Sequence, residues 1–211
     1  MKNLQKHLRT LVLAILAGGT IGIGGCAFLS IENKVVGALM FTVGLYTICT
    51  QELNLFTGKV GYLANQPASY CLDLLVIWIG NLVGTFLAAL AFRFTRISSI
   101  SGKAAQLCGT KLNDHLSSLF ILAIFCGLLM FVAVDGFRAT KNPLILFAGV
   151  AAFILCGFEH CIANMFYFSV ARMWSGKAFL CIVIITLGNA IGGMLIPLGK
   201  KLPMGEDIQE R

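Results

Sequence analysis

Residues 78–90 read WIGNLVGTFLAAL, and residues 186–198 read TLGNAIGGMLIPL. Gly80-Asn81-x-x-Gly84 returns as Gly188-Asn189-x-x-Gly192, 108 residues later. In a chain with 23 glycines that match alone carries little weight. A second landmark keeps nearly the same offset: Cys49-x-x-Glu52 lies 107 residues before Cys156-x-x-Glu159. The chain therefore reads as a duplication within a single transmembrane domain over residues 1–211. Repeat one covers about 10–92, repeat two about 115–200, with a connecting segment at 93–114 and a polar tail at 202–211.

Composition says what the repeated unit is. Of 211 residues 58% are hydrophobic and 12% charged, and mean hydropathy is +0.87. That charged fraction is about half the level of a soluble domain, which points to an integral membrane protein. Charge-free runs occupy Thr10–Ile31, Val35–Gln51, Leu74–Phe92, the stretch between Asp114 and Asp135, Asn142–Phe158 and Ala178–Gly199. A helix needs about 20 such residues to cross the hydrocarbon core, so the reading is all-α with six spans. The second and fifth are short and run straight into polar residues followed by more apolar sequence. Three spans per copy is an odd number, so the copies lie in the membrane with opposite orientations. Such inverted repeats build a permeation site from interrupted helices, and the interruptions are expected in spans two and five. The glycine pairs, including Gly18/Gly22, are read as close helix packing.

The first apolar run is too long for the h-region of a cleavable signal peptide. An even number of spans puts both termini on one side. Nine Lys and Arg against seven, together with the basic N-terminus, place that side in the cytoplasm. Most of the eight cysteines sit inside apolar runs and no C-x-x-C occurs, so they read as small hydrophobes. Cys156 and His160 are two ligands at most and do not close a zinc shell; no metal and no cofactor is expected. A membrane enzyme would need a nucleophile–base pair or further ligands that cannot be assembled from these residues.

Glu159 and His160, with Asn164 one turn on, stand inside the fifth span, where polar groups are costly and mark function. Neighbouring residues point about 100° apart on a helix, so one faces the pore and one does not. His160 and Asn164, at i and i+4, share a face and are assigned to the pore. Glu159 is expected to brace free N–H groups of the opposite broken helix. The competing reading of His160 is a buried histidine satisfied by backbone. In the first repeat, Thr57 would face His160 if the two breaks meet on the pseudo-two-fold. A hydroxyl and an imidazole can hold a small acceptor-rich solute without fixed charge.

ELNLFTGKVGYL (52–63), WIGNLVG (78–84), GFEHCIANMF (157–166) and LGNAIGG (187–193), in that order, resemble the formate/nitrite transporter family. The resemblance implies an aquaporin-like fold of six spans, a homopentamer with one pore per protomer, and passage of small monovalent anions with protons. Formate, nitrite, hydrosulfide and lactate are the anions it implies; it implies no nucleic-acid partner. It places the family's central histidine on His160, its loop threonine on Thr57 and its conduit lysine on Lys111. Constrictions fall on Leu45, Leu55 and Phe56 on the cytoplasmic side, and on Phe41, Met130 and Phe153 on the far side. The family's fourth-span asparagine aligns with Gly127, a departure expected to widen the site.

The expected function is transport of a weak-acid anion across the plasma (inner) membrane of a prokaryote. A positive entrance at Lys111, Lys103, Arg93 and Arg96 would collect the anion, and His160 would relay a proton to it at the dry centre. The alternative is an aquaporin-like channel for small neutral solutes. Against it, the chain has one Asn142-Pro143 and no pair of Asn-Pro-Ala turns.

Overall fold

The structure, a computed structural model, describes residues 2–203. The last eight residues of the polar tail expected at 202–211 lie outside the described residues.

Four helices cross without interruption: α1 (Lys2–Ser30), α4 (Tyr70–Arg93), α6 (Leu116–Thr140) and α9 (Gly176–Gly199). Each contains 24 or more residues of apolar stretch, enough for a bilayer crossing at about 1.5 Å per residue. Two further passes are broken. The first consists of α2 (Lys34–Thr50), an irregular stretch, the single turn α3 (Phe56–Lys59) and a 3₁₀ segment over Val60–Asn65. The second consists of α7 (Leu144–Cys156) and α8 (Cys161–Ala171), bent 57° at the break. Local sequence sets these boundaries. Asn33 accepts from the amides of Val35 and Val36 to start α2, and the Ser175 hydroxyl accepts from Ala178 N–H to start α9. Pro143, whose ring fixes φ, stands at the start of α7.

Residues 93–114, expected only as a connection, fold as a 3₁₀ turn (Arg96–Ser99) and helix α5 (Ile100–Asn113). Ile100, Ala104 and Cys108 form its buried stripe at a spacing of four, and α5 packs on α8.

The halves interlock. Within each, the first and third crossings pair closely, α1 with α4 and α6 with α9. The second parts of the broken passes then change sides: α8 packs on α4, and the 3₁₀ segment after α3 packs on α9. Close approach is enforced by glycine, since a Cβ at Gly84 would strike the carbonyl of Ile15, and one at Gly192 that of Ile124. Trp78 Nε1 donates to the hydroxyl of Thr186 at 3.0 Å. Thr186 stands at the repeat-equivalent position of Trp78, so this contact marks the pseudo-two-fold axis.

Candidate functional site

In hydrocarbon an open backbone must find partners within the protein, and both breaks solve this with one asparagine. At the first, Leu53 N–H donates back to Ile48 O (3.0 Å) and Asn54 N–H to Leu13 O (3.3 Å). Asn81 then clamps the turn: its Nδ2 donates to Asn54 O (2.9 Å) and Ala14 O (2.8 Å), while its Oδ1 accepts from Phe56 N–H (2.9 Å). The second break repeats every bond. Phe158 N–H reaches Phe153 O (2.9 Å) and Glu159 N–H reaches Leu122 O (3.4 Å). Asn189 Nδ2 donates to Glu159 O (2.7 Å) and Ala123 O (2.8 Å), and its Oδ1 accepts from Cys161 N–H (2.9 Å). Both asparagines are fully buried.

This corrects the register of the duplication. The bonds pair Asn54 with Glu159 and Phe56 with Cys161, and they pair the left-handed Glu52 (φ 54°) with the left-handed Gly157 (φ 74°). Glu52 is thus not the counterpart of Glu159, and the Cys-x-x-Glu landmark is a coincidence two residues out of step. Asn81 and Asn189, at the centre of the repeated G-N-x-x-G, are functional residues that the sequence reading does not single out. Their signal was a polar amide recurring in an otherwise apolar span.

His160 is the N-cap of α8, with extended backbone (φ −105°, ψ 115°). Its Nδ1 accepts from Ala163 N–H at 3.1 Å, and its Nε2 lies 2.9 Å from Thr57 Oγ1. An amide can only donate, so a neutral ring carries its hydrogen on Nε2 and gives it to the threonine oxygen. The Thr57 hydroxyl hydrogen is then left to point elsewhere. Both residues are buried, and the imidazole stacks on Phe153 at 5.5 Å, which meets Phe41 edge-on at 6.0 Å.

Glu159 does not brace the opposite helix. Its carboxylate takes both oxygens to Lys111 Nζ (2.7 and 2.8 Å), and Oε2 also accepts from Asn164 Nδ2 at 2.6 Å. The Asn164 side chain is therefore engaged by the Glu159–Lys111 cluster and makes no hydrogen bond to the His160 ring. Asn164 N–H does donate to His160 O at 3.0 Å, the first helical bond of α8. The extended backbone at His160, however, turns its side chain to Thr57, while the 100° step fails between Glu159 and His160 because both precede the helix. The side chains of the ion pair are 12% and 7% exposed, so each charge depends on the other.

The sequence profile of the formate/nitrite transporter family matches residues 1–199. The chain belongs to that family. It is 26% identical to the formate channel FocA of Escherichia coli over 90% of this chain and 85% of that protein. It is 25% identical to the formate channel FocA of Haemophilus influenzae over 77% of this chain and 71% of that protein. It is 27% identical to the formate-nitrite transporter of Plasmodium falciparum over 90% and 75%. In fold it resembles an FNT family ion channel with a TM-score of 0.82, at 22% identity over 92% of this chain and 89% of that one. A pentameric formate channel with formate bound gives 0.76, at 24% identity over 93% and 96%. As a member of this channel and transporter family the protein is an integral membrane protein that passes formate/nitrite-type anions, not an enzyme.

The positions that the family resemblance put at constrictions fall into separate places. Leu45 and Leu55 line one narrow cavity toward the side of the chain termini. Phe41 and Phe153 form the aromatic stack on His160, and Met130 is buried among the core residues. Phe56 lines an apolar groove between α4 and α9, together with Trp78 and Leu187, and not the Leu45–Leu55 cavity. Gly127 is not a pore position: a Cβ there would strike the Asn189 carbonyl, as one at Gly18 would strike that of Asn81. It is a glycine because α6 and α9 cross there, and any side chain at that position would meet the α9 backbone.

Proposed function

We propose that each protomer conducts the conjugate base of a small monovalent weak acid, formate, nitrite or hydrosulfide, and that it crosses the dry centre as the neutral acid. Protomers assemble as a homopentamer in the plasma (inner) membrane of a prokaryote, with both termini in the cytoplasm. The basic N-terminus supports that orientation, and the likeness to a pentameric formate channel supports the assembly. The observation that carries the reading is the Thr57–His160 pair, a neutral donor between the Leu45–Leu55 cavity and the Phe41–Phe153 stack.

A bare anion is penalised among such apolar side chains, and desolvation favours its protonated form. The Thr57 hydroxyl supplies a hydrogen bond that compensates part of the lost hydration without trapping the solute by fixed charge. His160 holds that hydroxyl in its donating orientation. This narrows the relay expected of His160. A second proton on the ring would have to occupy Nδ1, displacing Ala163 N–H and uncapping α8. The proton that crosses is therefore taken from the wet mouth, and flux increases as the source side is acidified.

Reconstitution into liposomes tests this, comparing formate, nitrite, hydrosulfide, lactate and chloride at two pH values. The weak acids should pass faster at the lower pH and chloride poorly at both. Equal passage of chloride and formate at both pH values would overturn the reading.

A further inference from the structure

We infer that the mouth on the side of the termini carries a capture site for the transported anion, formed by Lys59 and Arg138. The inference rests on the transport reading above and concerns which mouth sets affinity. Both side chains line the cavity that Leu45, Leu55 and Val134 close toward the throat. Its volume is only about 10 Å³, room for roughly one water, so a solute reaching it comes close to both cations.

Neither cation is held in an ion pair, although the Glu52 carboxylate is close enough to act on Lys59 through space. Among the described residues no carboxylate lies within 4.0 Å of Lys59 or Arg138; the ion pairs present join Lys6 and His7 to Asp73, and Lys111 to Glu159. The nearby acid Asp135 is engaged by the Tyr62 hydroxyl at 3.0 Å, and Arg138 lies over the Tyr62 ring at 5.1 Å. Lys59 is anchored by its backbone, whose carbonyl accepts from Tyr70 O–H at 3.3 Å. It closes the single turn α3 that begins with Phe56 and Thr57, so its place relative to the donor hydroxyl is fixed. Two like charges sharing a small cavity repel, and an anion between them relieves that repulsion.

The opposite mouth differs. The charge of Lys111 is consumed by Glu159. Arg93 lines a cavity with Ser98, Ser101 and Arg172, and Arg96 and Lys103 line another. Neither cavity includes Thr57, His160 or a constriction residue. The cations of that mouth thus stand away from the throat, and close-range capture falls to the mouth on the other side, where Lys59 and Arg138 share a cavity with Leu45 and Leu55. A passive pore cannot shift the equilibrium this way, but it acquires different half-saturation concentrations for the two directions.

The experiment measures initial formate flux in each direction across liposomes of uniform protein orientation, for wild type, K59Q, R138Q and K59R. For K59Q and R138Q, half-saturation for formate entering from the termini side should increase about tenfold, with maximal flux within about twofold of wild type. From the opposite side half-saturation should not move, and maximal flux should fall about tenfold, because a passive pore must keep the ratio of maximal flux to half-saturation equal in the two directions. K59R should restore the wild-type value, and the exposed Arg138 gives a second variant should K59Q fail to assemble. Unchanged half-saturation, or an equal increase from both sides, overturns the capture site. Absence of formate flux in the wild type would instead overturn the transport reading.

Discussion

At residues 52–56 the chain places a left-handed glutamate, a carbonyl pinned by Asn81, then Leu55 and Phe56. At residues 157–161 it places a left-handed glycine, a carbonyl pinned by Asn189, then His160 and Cys161. The backbone bonds are the same in both. The N-cap side chains are not: Leu55 makes no cap hydrogen bond to α3, whereas His160 accepts from Ala163 to cap α8. A symmetric scaffold thus delivers two half-helix starts, and one difference at the equivalent position leaves one apolar and makes the other a hydrogen-bonding site. Asn54 and Glu159 diverge likewise. Asn54 reaches the Thr10 carbonyl, whereas Glu159 holds a lysine. Duplication supplied the geometry, and divergence of two or three side chains supplied the chemistry.

Breaking the scaffold should have the largest effect. Asn189→Ala removes three buried hydrogen bonds and leaves their backbone partners unsatisfied, at a cost of about 4 kcal/mol or more. Thermal unfolding in detergent should fall accordingly and flux should be lost. Asn81→Ala should behave similarly but more mildly, because no ion pair depends on its break. Next comes the asymmetric ion pair. Lys111→Met strands the Glu159 carboxylate at about 3 kcal/mol, and adding Glu159→Gln should recover more than half of that in the same melts. A double variant no more stable than the single one would mean that Lys111 acts elsewhere.

Smaller effects sharpen the comparison. Thr57→Val keeps the shape but deletes the donor; loss of a hydrogen bond to the neutral acid corresponds to about 2- to 10-fold in flux, and the buried His160 Nε2–H left without its acceptor should lower stability by about 1–3 kcal/mol. The smallest effect probes the left-handed positions. Glu52→Gly should stabilise by up to about 1 kcal/mol, because glutamate is strained at φ 54°, while Gly157→Ala should destabilise by about that much. Opposite signs at equivalent positions would confirm the register in which Glu52 pairs with Gly157.

Much of this was legible in the residues. The charge-free runs marked the crossings, and the repeated G-N-x-x-G marked the duplication, because a polar amide and two close-packing glycines are each costly to place in hydrocarbon by chance. The register failed at the breaks. Glu52 and Glu159 are alike in identity, but what repeats there is a left-handed turn, which either glutamate or glycine can occupy. The partners of Glu159 and Asn164 are hidden for a related reason: residues 157–160 are not helical, so the direction of the Glu159 and His160 side chains does not follow from helical periodicity. Gly127 was judged by alignment to the pore, when its missing side chain is explained by the helix crossing behind it. Helix α5 was missed although Ile100, Ala104 and Cys108 carry its stripe, because serines, glycines and lysines dilute the pattern.

By itself the sequence determined that this chain is threaded through a bilayer, that it contains two copies of one unit, and that the odd number of passes inverts them. Those follow from the cost of burying charge and from simple parity. The tertiary structure alone decided which polar groups meet, joining Thr57 to His160, Glu159 to Lys111 and Asn189 to the broken backbone. Each of those contacts spans from thirty to about one hundred residues and lands where the helix stops. No local period reaches that far, so only the packing of the two halves could select the partners.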